Sequence, residues 1–245
     1  MPHLTPSGFF ITGTDTEVGK TLVAAAIVQK LQSEGVQAIA YKPVVAGMRM
    51  RQAEPINEDV ETLLLVSRRI APRLKANDIC SYFLTDPAAP HLVAQKEHIT
   101  LDLEQMIEHV QKLHQQFEAI VVEGAGGFLV PINAHQSLAD LAVRIQLPVI
   151  LVVSMRLGCI NHALLTAEAI VQRGLKLYGW VANQNTAINA YTQDNISTIH
   201  DLFQHRWQAP LLGTIPLLDC PTQDGVYSDK SIGQASDCLD PFITS

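Results

Sequence analysis

Gly13-Thr14-Asp15-Thr16-Glu17-Val18-Gly19-Lys20-Thr21 stands between the apolar run Gly8-Phe9-Phe10-Ile11-Thr12 and the stretch Leu22-Val23-Ala24-Ala25-Ala26-Ile27-Val28. The order reads as a buried strand, a turn and a helix, with the backbone N–H groups of the turn converging on an anion. The helix adds the positive end of its dipole, Lys20 adds a point charge for the β- and γ-phosphates, and the Thr21 hydroxyl can reach a Mg²⁺ ion. The usual loop of this kind has four residues between its glycines. Here five separate Gly13 from Gly19, and Thr14 takes the expected first-glycine position. The stretch predicts a nucleoside triphosphate site built on a lengthened loop.

Outward from the loop, Ala24, Ile27, Val28 and Leu31 follow helical spacing, with Gly35 placed as a C-cap. Val36 to Val44 then reads as a strand that Pro43 stops from continuing as a central one, and Lys42 falls at its carboxyl end, where open parallel sheets bind ligands. Residues 46–57 read as a mobile loop, followed by a helix that Asp59 opens, with Val60, Leu63 and Leu64 on its apolar face. On spacing alone, Asp59 serves the helix dipole as readily as a ligand. Pro72 to Pro90 reads as irregular, His91 as a structural or solvated histidine, and Leu103 to Phe117 as a long amphipathic helix.

A second nucleotide signal lies in Ala119-Ile120-Val121-Val122-Glu123-Gly124-Ala125-Gly126-Gly127, a buried strand ending in a carboxylate. In phosphate-loop enzymes such a carboxylate holds Mg²⁺; it is usually Asp and here Glu123. Ser137 to Asp140 resembles a capping box. Pro148 to Val153, Tyr178 to Asn183 and Leu211 to Pro216 read as further strands, with helices from Leu157-Gly158-Cys159-Ile160-Asn161-His162 to Gly174 and from Asn189 to Trp207. Asn183 ends its strand in an amide that could read a base edge, and Cys159 reads as a small helix-start residue. The tail beyond Asp224 is polar and weakly periodic. Strands alternating with helices predict a single-domain α/β layered fold over residues 1–245, with a mainly parallel central sheet of about six or seven strands.

Composition narrows the function classes. The chain has 245 residues, 47% hydrophobic and 17% charged, which is ample for a sizeable core. A formal net charge of −7 disfavours nucleic acid as the main partner. The longest apolar run, Leu147 to Val153, is too short to span a bilayer, and Met1 to Pro6 shows no secretory signal, so a cytoplasmic protein is expected. Cys80, Cys159, Cys220 and Cys238 show no metal-finger spacing and read as reduced thiols, and no histidine pair predicts zinc.

Four of these segments resemble dethiobiotin synthetase: Gly13 to Thr21, Tyr41-Lys42-Pro43-Val44, Val122 to Gly127 and Leu157 to His162. Gly179 to Asn183 and Pro210 to Gly213 extend the likeness, which runs from about residue 8 to 217. The family shares the lengthened loop. The resemblance implies that 7,8-diaminononanoate takes up CO₂ as a carbamate, that ATP phosphorylates the carbamate, and that the second amine closes the ring with loss of phosphate. Phosphoryl transfer rests on positioning and charge neutralisation, so two lysines and Mg²⁺ suffice without a nucleophilic side chain.

By this resemblance, Lys20 and Lys42 act on the carbamate and the transferring phosphoryl group, and Thr21, Asp59 and Glu123 surround Mg²⁺. Thr16, Glu17, Val18, Gly19 and Leu22 belong to the ATP loop, with Gly124, Ala125 and Gly126 beside it. Asn183, Gln184, Pro216, Leu217 and Leu218 hold adenine. The diamine meets Lys42, Ala46, Gly158, Cys159, Ile160 and Asn161, the last four reaching it from the neighbouring subunit of a homodimer. Ala46 stands where the family usually carries serine, so it offers the carbamate no hydroxyl. A paralogue acting on a related diamine is one alternative. Another is a ParA/MinD-like ATPase switch; those proteins usually place a second lysine early in the loop, where this chain has Thr14, Asp15 and Thr16. A corrinoid amidotransferase-type synthetase would be expected to bring a glutaminase domain, for which no length remains.

Overall fold

Phe9, Phe10 and Ile11 are sealed from water on both faces, as a strand in the middle of a parallel sheet must be. They lie on β1 (Gly8–Gly13), which delivers the chain to the phosphate loop and to α1 (Lys20–Ser33). The computed structural model describes residues 7–52, 54–186, 190–219 and 221–243. The expected helix start at Asn189, Cys220 and residues 1–6 lie outside them.

After α1 come β2 (Ala38–Ala46), a small antiparallel hairpin of β3 (Arg49–Arg51) and β4 (Glu54–Ile56), and α2 (Glu58–Ser67). Next are α3 (Ala76–Ile79), β5 (Cys80–Leu84), α4 (Pro90–Lys96), α5 (Leu103–His114) and β6 (Ala119–Glu123). The second half alternates α6 (Leu138–Ile145), β7 (Val149–Ser154), α7 (Cys159–Val171), β8 (Leu177–Asn183), α8 (Thr192–Trp207) and β9 (Leu211–Ile215). The chain closes with a second hairpin, β10 (Thr222–Gln223) and β11 (Val226–Tyr227), and α9 (Asp229–Asp237).

Seven parallel strands form the central sheet in the order β5-β2-β6-β1-β7-β8-β9. This is the α/β layered fold the alternation predicts, with β1 at its centre. Helices cover the sheet, because a strand buried on both faces needs apolar cover on each. Among the described residues, no helix is long and apolar enough to cross a membrane.

Local signals explain many boundaries. Gly35 follows α1 at φ 89°, a left-handed position that suits glycine. Asn57 caps α2 by accepting from the amides of Asp59 (3.1 Å) and Val60 (3.4 Å). Ser137 and Asp140 form the expected capping box at α6.

Three stretches differ from expectation. Pro72 to Pro90 is not irregular throughout, because Cys80–Leu84 forms the edge strand β5 against β2. Within the stretch 46–57, read as a loop, β3 pairs with β4. The weakly periodic tail is ordered. Ile232 and Ala235 of α9 are fully buried, the Phe242 ring lies 5.1 Å from Phe9, and the Phe242 amide donates to the Glu34 carboxylate at 3.1 Å. Periodicity understates such a helix, since of its four buried residues only Ile232 and Ala235 are apolar, the others being Ser231 and Ser236.

Candidate nucleotide and acceptor site

The loop owes its shape to close packing under it. A Cβ on Gly13 would stand 2.4 Å from Val18 Cγ2, so glycine lets the loop fold over the buried Val18. Gly19 ends the loop at φ 90°, and a Cβ there would stand 2.0 Å from Asn183 Nδ2. Glu17 holds a positive φ of 59° without being glycine, a conformation the surrounding contacts must enforce. Those contacts come from β8 and the segment after it: Asn183 Nδ2 donates to Val18 O at 2.9 Å, and Asn185 Nδ2 donates to Glu17 O at 2.7 Å. Arg156 pairs with Asp15 on another side.

Strand register then assembles the charges. Ile11 pairs with Glu123 across β1 and β6, and Tyr41 pairs with Val122 across β2 and β6, which brings Lys42 level with Glu123. Lys42 Nζ lies 2.5 Å from Glu123 Oε1 and 2.9 Å from Asp59 Oδ2. Thr21 Oγ1 lies 2.8 Å from Asp59 Oδ1 and 2.8 Å from Glu123 Oε1. Lys20 Nζ donates to Asp15 O at 3.1 Å. Asp59 thus sits in the first turn of α2, where its charge suits the dipole, and also meets Thr21 and Lys42.

Burial sets the protonation preferences. Burial and the neighbouring Lys42 ammonium pull the Lys20 pKa down to about 8. Burial works against the Lys42 charge, but Asp59 and Glu123 outweigh it and hold its pKa above the usual lysine value. Asp59 is kept below the ordinary carboxylate range, because Lys42 and Thr21 overcome the burial cost. Burial pushes Glu123 up, only partly offset by Lys42. Asp59 opens to the cleft with its side chain 42% exposed, whereas Glu123 is fully buried.

The carboxylate pair fits a divalent cation. The single Thr21 hydroxyl hydrogen can serve only one of the two carboxylate oxygens beside it. Glu123 Oε2 is buried and has no hydrogen-bond partner among the described residues. A hard cation with oxygen ligands would satisfy both conditions, and Thr21, Asp59 and Glu123 would hold it.

These groups line a cleft of about 780 Å³. Thr16, Glu17, Gly19, Ala125 and Gly126 line it with Lys20 and Thr21, while Gly124 donates its amide to Ile11 O at 2.9 Å. Val18 and Leu22 are buried under the loop and place its backbone. Val44, Val45 and Ala46 from β2 extend the lining, with the loop from Pro87 to Pro90. Sequence reasoning missed the wall formed by Thr222, Gly225 and Tyr227. The signal for it was Asp224-Gly225, whose φ values of 48° and 76° suit the two-residue turn that twists with a hairpin.

Other expected residues lie apart from the charges. Gln184 follows Asn183 and donates its amide to Ile215 O at 2.9 Å, so Gln184 and the segment Pro216, Leu217, Leu218 leave adjacent strands together. Gly158 starts α7 at φ 89° beside Leu157, which is 95% exposed. Of the amides that follow, Cys159 N already donates to Arg156 O at 3.0 Å, so it is not free for an anion. The Cys159 side chain is buried, and burial raises its thiol pKa. Ile160 is half-buried and Asn161 exposed.

A central strand running into a phosphate-binding loop, with lysine and threonine opening the next helix and a carboxylate ending the neighbouring strand, defines a nucleotide-binding P-loop NTPase fold. Within that class, the chain belongs to the AAA_26 family, AAA domain, whose match spans residues 7–223. Solved structures share the fold. A chain of the MinC:MinD cell division protein complex of Aquifex aeolicus superposes with a TM-score of 0.56 at 14% identity, over 94% of each chain. A ParA family ATPase from Chlorobium tepidum TLS gives 0.55 at 13%, over 95% of this chain and 96% of that one. The septum site-determining protein MinD complexed with Mg-ADP from Pyrococcus horikoshii OT3 gives 0.52 at 16%, over 94% and 95%.

Proposed function

We propose that this chain closes 7,8-diaminononanoate with CO₂ to dethiobiotin, using ATP and Mg²⁺. The observation that carries the reading is Lys42, a buried ammonium beside the two carboxylates, in a cleft that is lined by the P-loop and also by Val44 to Ala46 and Pro87 to Pro90. A hydrolytic switch needs a water in line with the γ-phosphate. A synthetase needs room for a second substrate there, and the lining that Val44 to Ala46 and Pro87 to Pro90 add to the P-loop residues supports that reading. The family matched over residues 7–223 includes dethiobiotin synthetase.

In this reading one amine of the diamine takes up CO₂ as a carbamate, whose oxygen attacks the γ-phosphorus while ADP leaves. The second amine then attacks the carbonyl carbon, the ring closes, and phosphate departs with the transferred oxygen. Lys42 stabilises the carbamate and the mixed anhydride, and Lys20 follows the migrating charge from β- to γ-phosphate. When bound, Mg²⁺ supplies charge neutralisation between the phosphates. Asn183 and Asn185 hold the loop, Gln184 and Pro216 to Leu218 border the adenine, and the far carboxylate of the diamine meets the start of α7 from a neighbouring subunit. A monomeric, fully active protein would remove that shared seat.

The deciding experiment measures phosphate release with ATP, Mg²⁺ and bicarbonate, with and without diaminononanoate, alongside product mass. Release that depends on the diamine and yields the cyclic urea is expected. Rapid release that ignores the diamine overturns the reading in favour of an ATPase switch.

A further inference from the structure

The acceptor part of the cleft is mostly hydrocarbon. Val44, Val45 and Ala46 contribute apolar surface from β2, and Pro87 to Pro90 contribute more. Such a lining suits a chain of methylenes, but it cannot fix which polar end lies beside Lys42. Two residues of the C-terminal hairpin that carry hydroxyls, Thr222 and Tyr227, line the same cleft.

Tyr227 is fixed in place. Its amide donates to Thr62 Oγ1 at 3.1 Å, and the Thr62 hydroxyl donates in turn to Glu58 O at 2.8 Å. Thr62 is fully buried on α2, the helix that presents Asp59, so the hairpin and Asp59 are mounted on one rigid element. On the other side of the turn, Gly225 packs so closely that a Cβ would stand 2.5 Å from Glu58 Cγ. The Tyr227 hydroxyl makes no hydrogen bond to any described residue. Burial, and after it the charges of Asp59 and Glu123, raise its pKa and keep its proton in place at neutral pH.

We propose that Tyr227 is a specificity-determining residue of the acceptor site, its phenolic O–H donating a hydrogen bond to the oxyanion of the carboxylated diamine. The inference rests on the carbamate reading above. A neutral donor suits this position for a physical reason. A lysine there would be drawn onto Asp59 and Glu123, as Lys42 is, whereas a phenol keeps its hydrogen for the substrate. It also adds no positive charge that would compete with a cation for the carboxylates. Its ring is apolar and belongs to the lining of the same cleft, so one side chain offers both a surface for methylenes and a donor for the polar end.

The test is Tyr227→Phe, which keeps the ring and removes the donor. Diamine KM should rise about tenfold while ATP KM stays within about twofold, because the lost bond belongs to one substrate only. Calorimetric binding of the diamine, in the presence of bicarbonate and a non-hydrolysable ATP analogue, should weaken by a similar factor. The thermal midpoint should not move, since the Thr62 anchor is a backbone bond. A parent that turns over the diamine and a variant with the parent's diamine KM and affinity would overturn this inference and leave the proposed function standing. A parent with no diamine-dependent turnover would overturn both.

Discussion

On the P-loop side of the cleft, Lys20, Thr21, Lys42 and Glu123 are buried and each has a protein partner. On the side formed by the β10–β11 hairpin, Thr222 to Gly225 are exposed, and the Tyr227 amide ties β11 to α2 by donating to Thr62 Oγ1. The first region sits on strands buried on both faces, so its geometry is set before any ligand arrives. The second sits on a short hairpin that rests on α2. Fixed charges suit phosphates, which are alike in every nucleotide. A wall that is cheap to alter suits the acceptor, which differs between enzymes of one fold.

The largest effect should come from the buried charge. Lys42→Gln should bind ATP nearly as the parent does while losing about 10²- to 10³-fold in ring closure, because one stabilising donor at the developing charge is gone. Single-turnover product formation is the measurement, and an unaltered rate would remove Lys42 from the chemistry.

Next come Asp59→Asn and Glu123→Gln. Each should keep the fold and raise the Mg²⁺ concentration needed for half-maximal activity by about 10- to 100-fold. If both variants keep the parent's Mg²⁺ dependence, the cation is held by other groups.

Gly19→Ala probes the rigidity of the P-loop side directly. The new methyl would displace Asn183 and break its bond to Val18 O, at a backbone φ of 90°. A loss of about 1–3 kcal/mol of stability is expected, with weaker nucleotide binding. A thermal midpoint and an ATP affinity equal to the parent's would show that the loop is not pre-set.

Gly225→Ala applies the same kind of strain to the hairpin, where the obstacle is the flexible Glu58 side chain rather than a clamped amide. A loss of about 1 kcal/mol is expected, with a change in diamine KM and none in ATP affinity. An effect on ATP affinity as large as that of Gly19→Ala would erase the contrast between the two regions.

Much of the phosphate side was legible because its signals are local. Gly13 to Thr21 names a turn and a helix start, and Glu123 ends a run that only a buried strand would carry. Asp59 was ambiguous for an equally local reason. A carboxylate in a first helical turn has a sufficient explanation in the dipole, and only the packing of α2 beside α1 shows its second use. The edge strand β5 was hidden by the prolines that flank its neighbourhood, and by the half-exposed Ser81, Tyr82 and Phe83. The hairpin wall was overlooked because its strands are two residues each, too short to show alternation.

By itself the sequence determined the P-loop, the α/β alternation and several helix caps, since each depends on neighbours a few residues away; it placed Lys42 at a strand end, whereas β2 runs past Pro43 to Ala46 because β5 pairs with it there. Only the tertiary structure decided that β6 and β2 lie beside one another, so that Thr21, Lys42, Asp59 and Glu123 meet within 3 Å although Thr21 and Glu123 are 102 positions apart. It also decided that Asn183 spends its amide on the P-loop and that the tail returns to put Tyr227 in the cleft. The physical reason is the same in each case. Strand order follows from burying apolar faces across the whole chain, and no short window of sequence carries that balance.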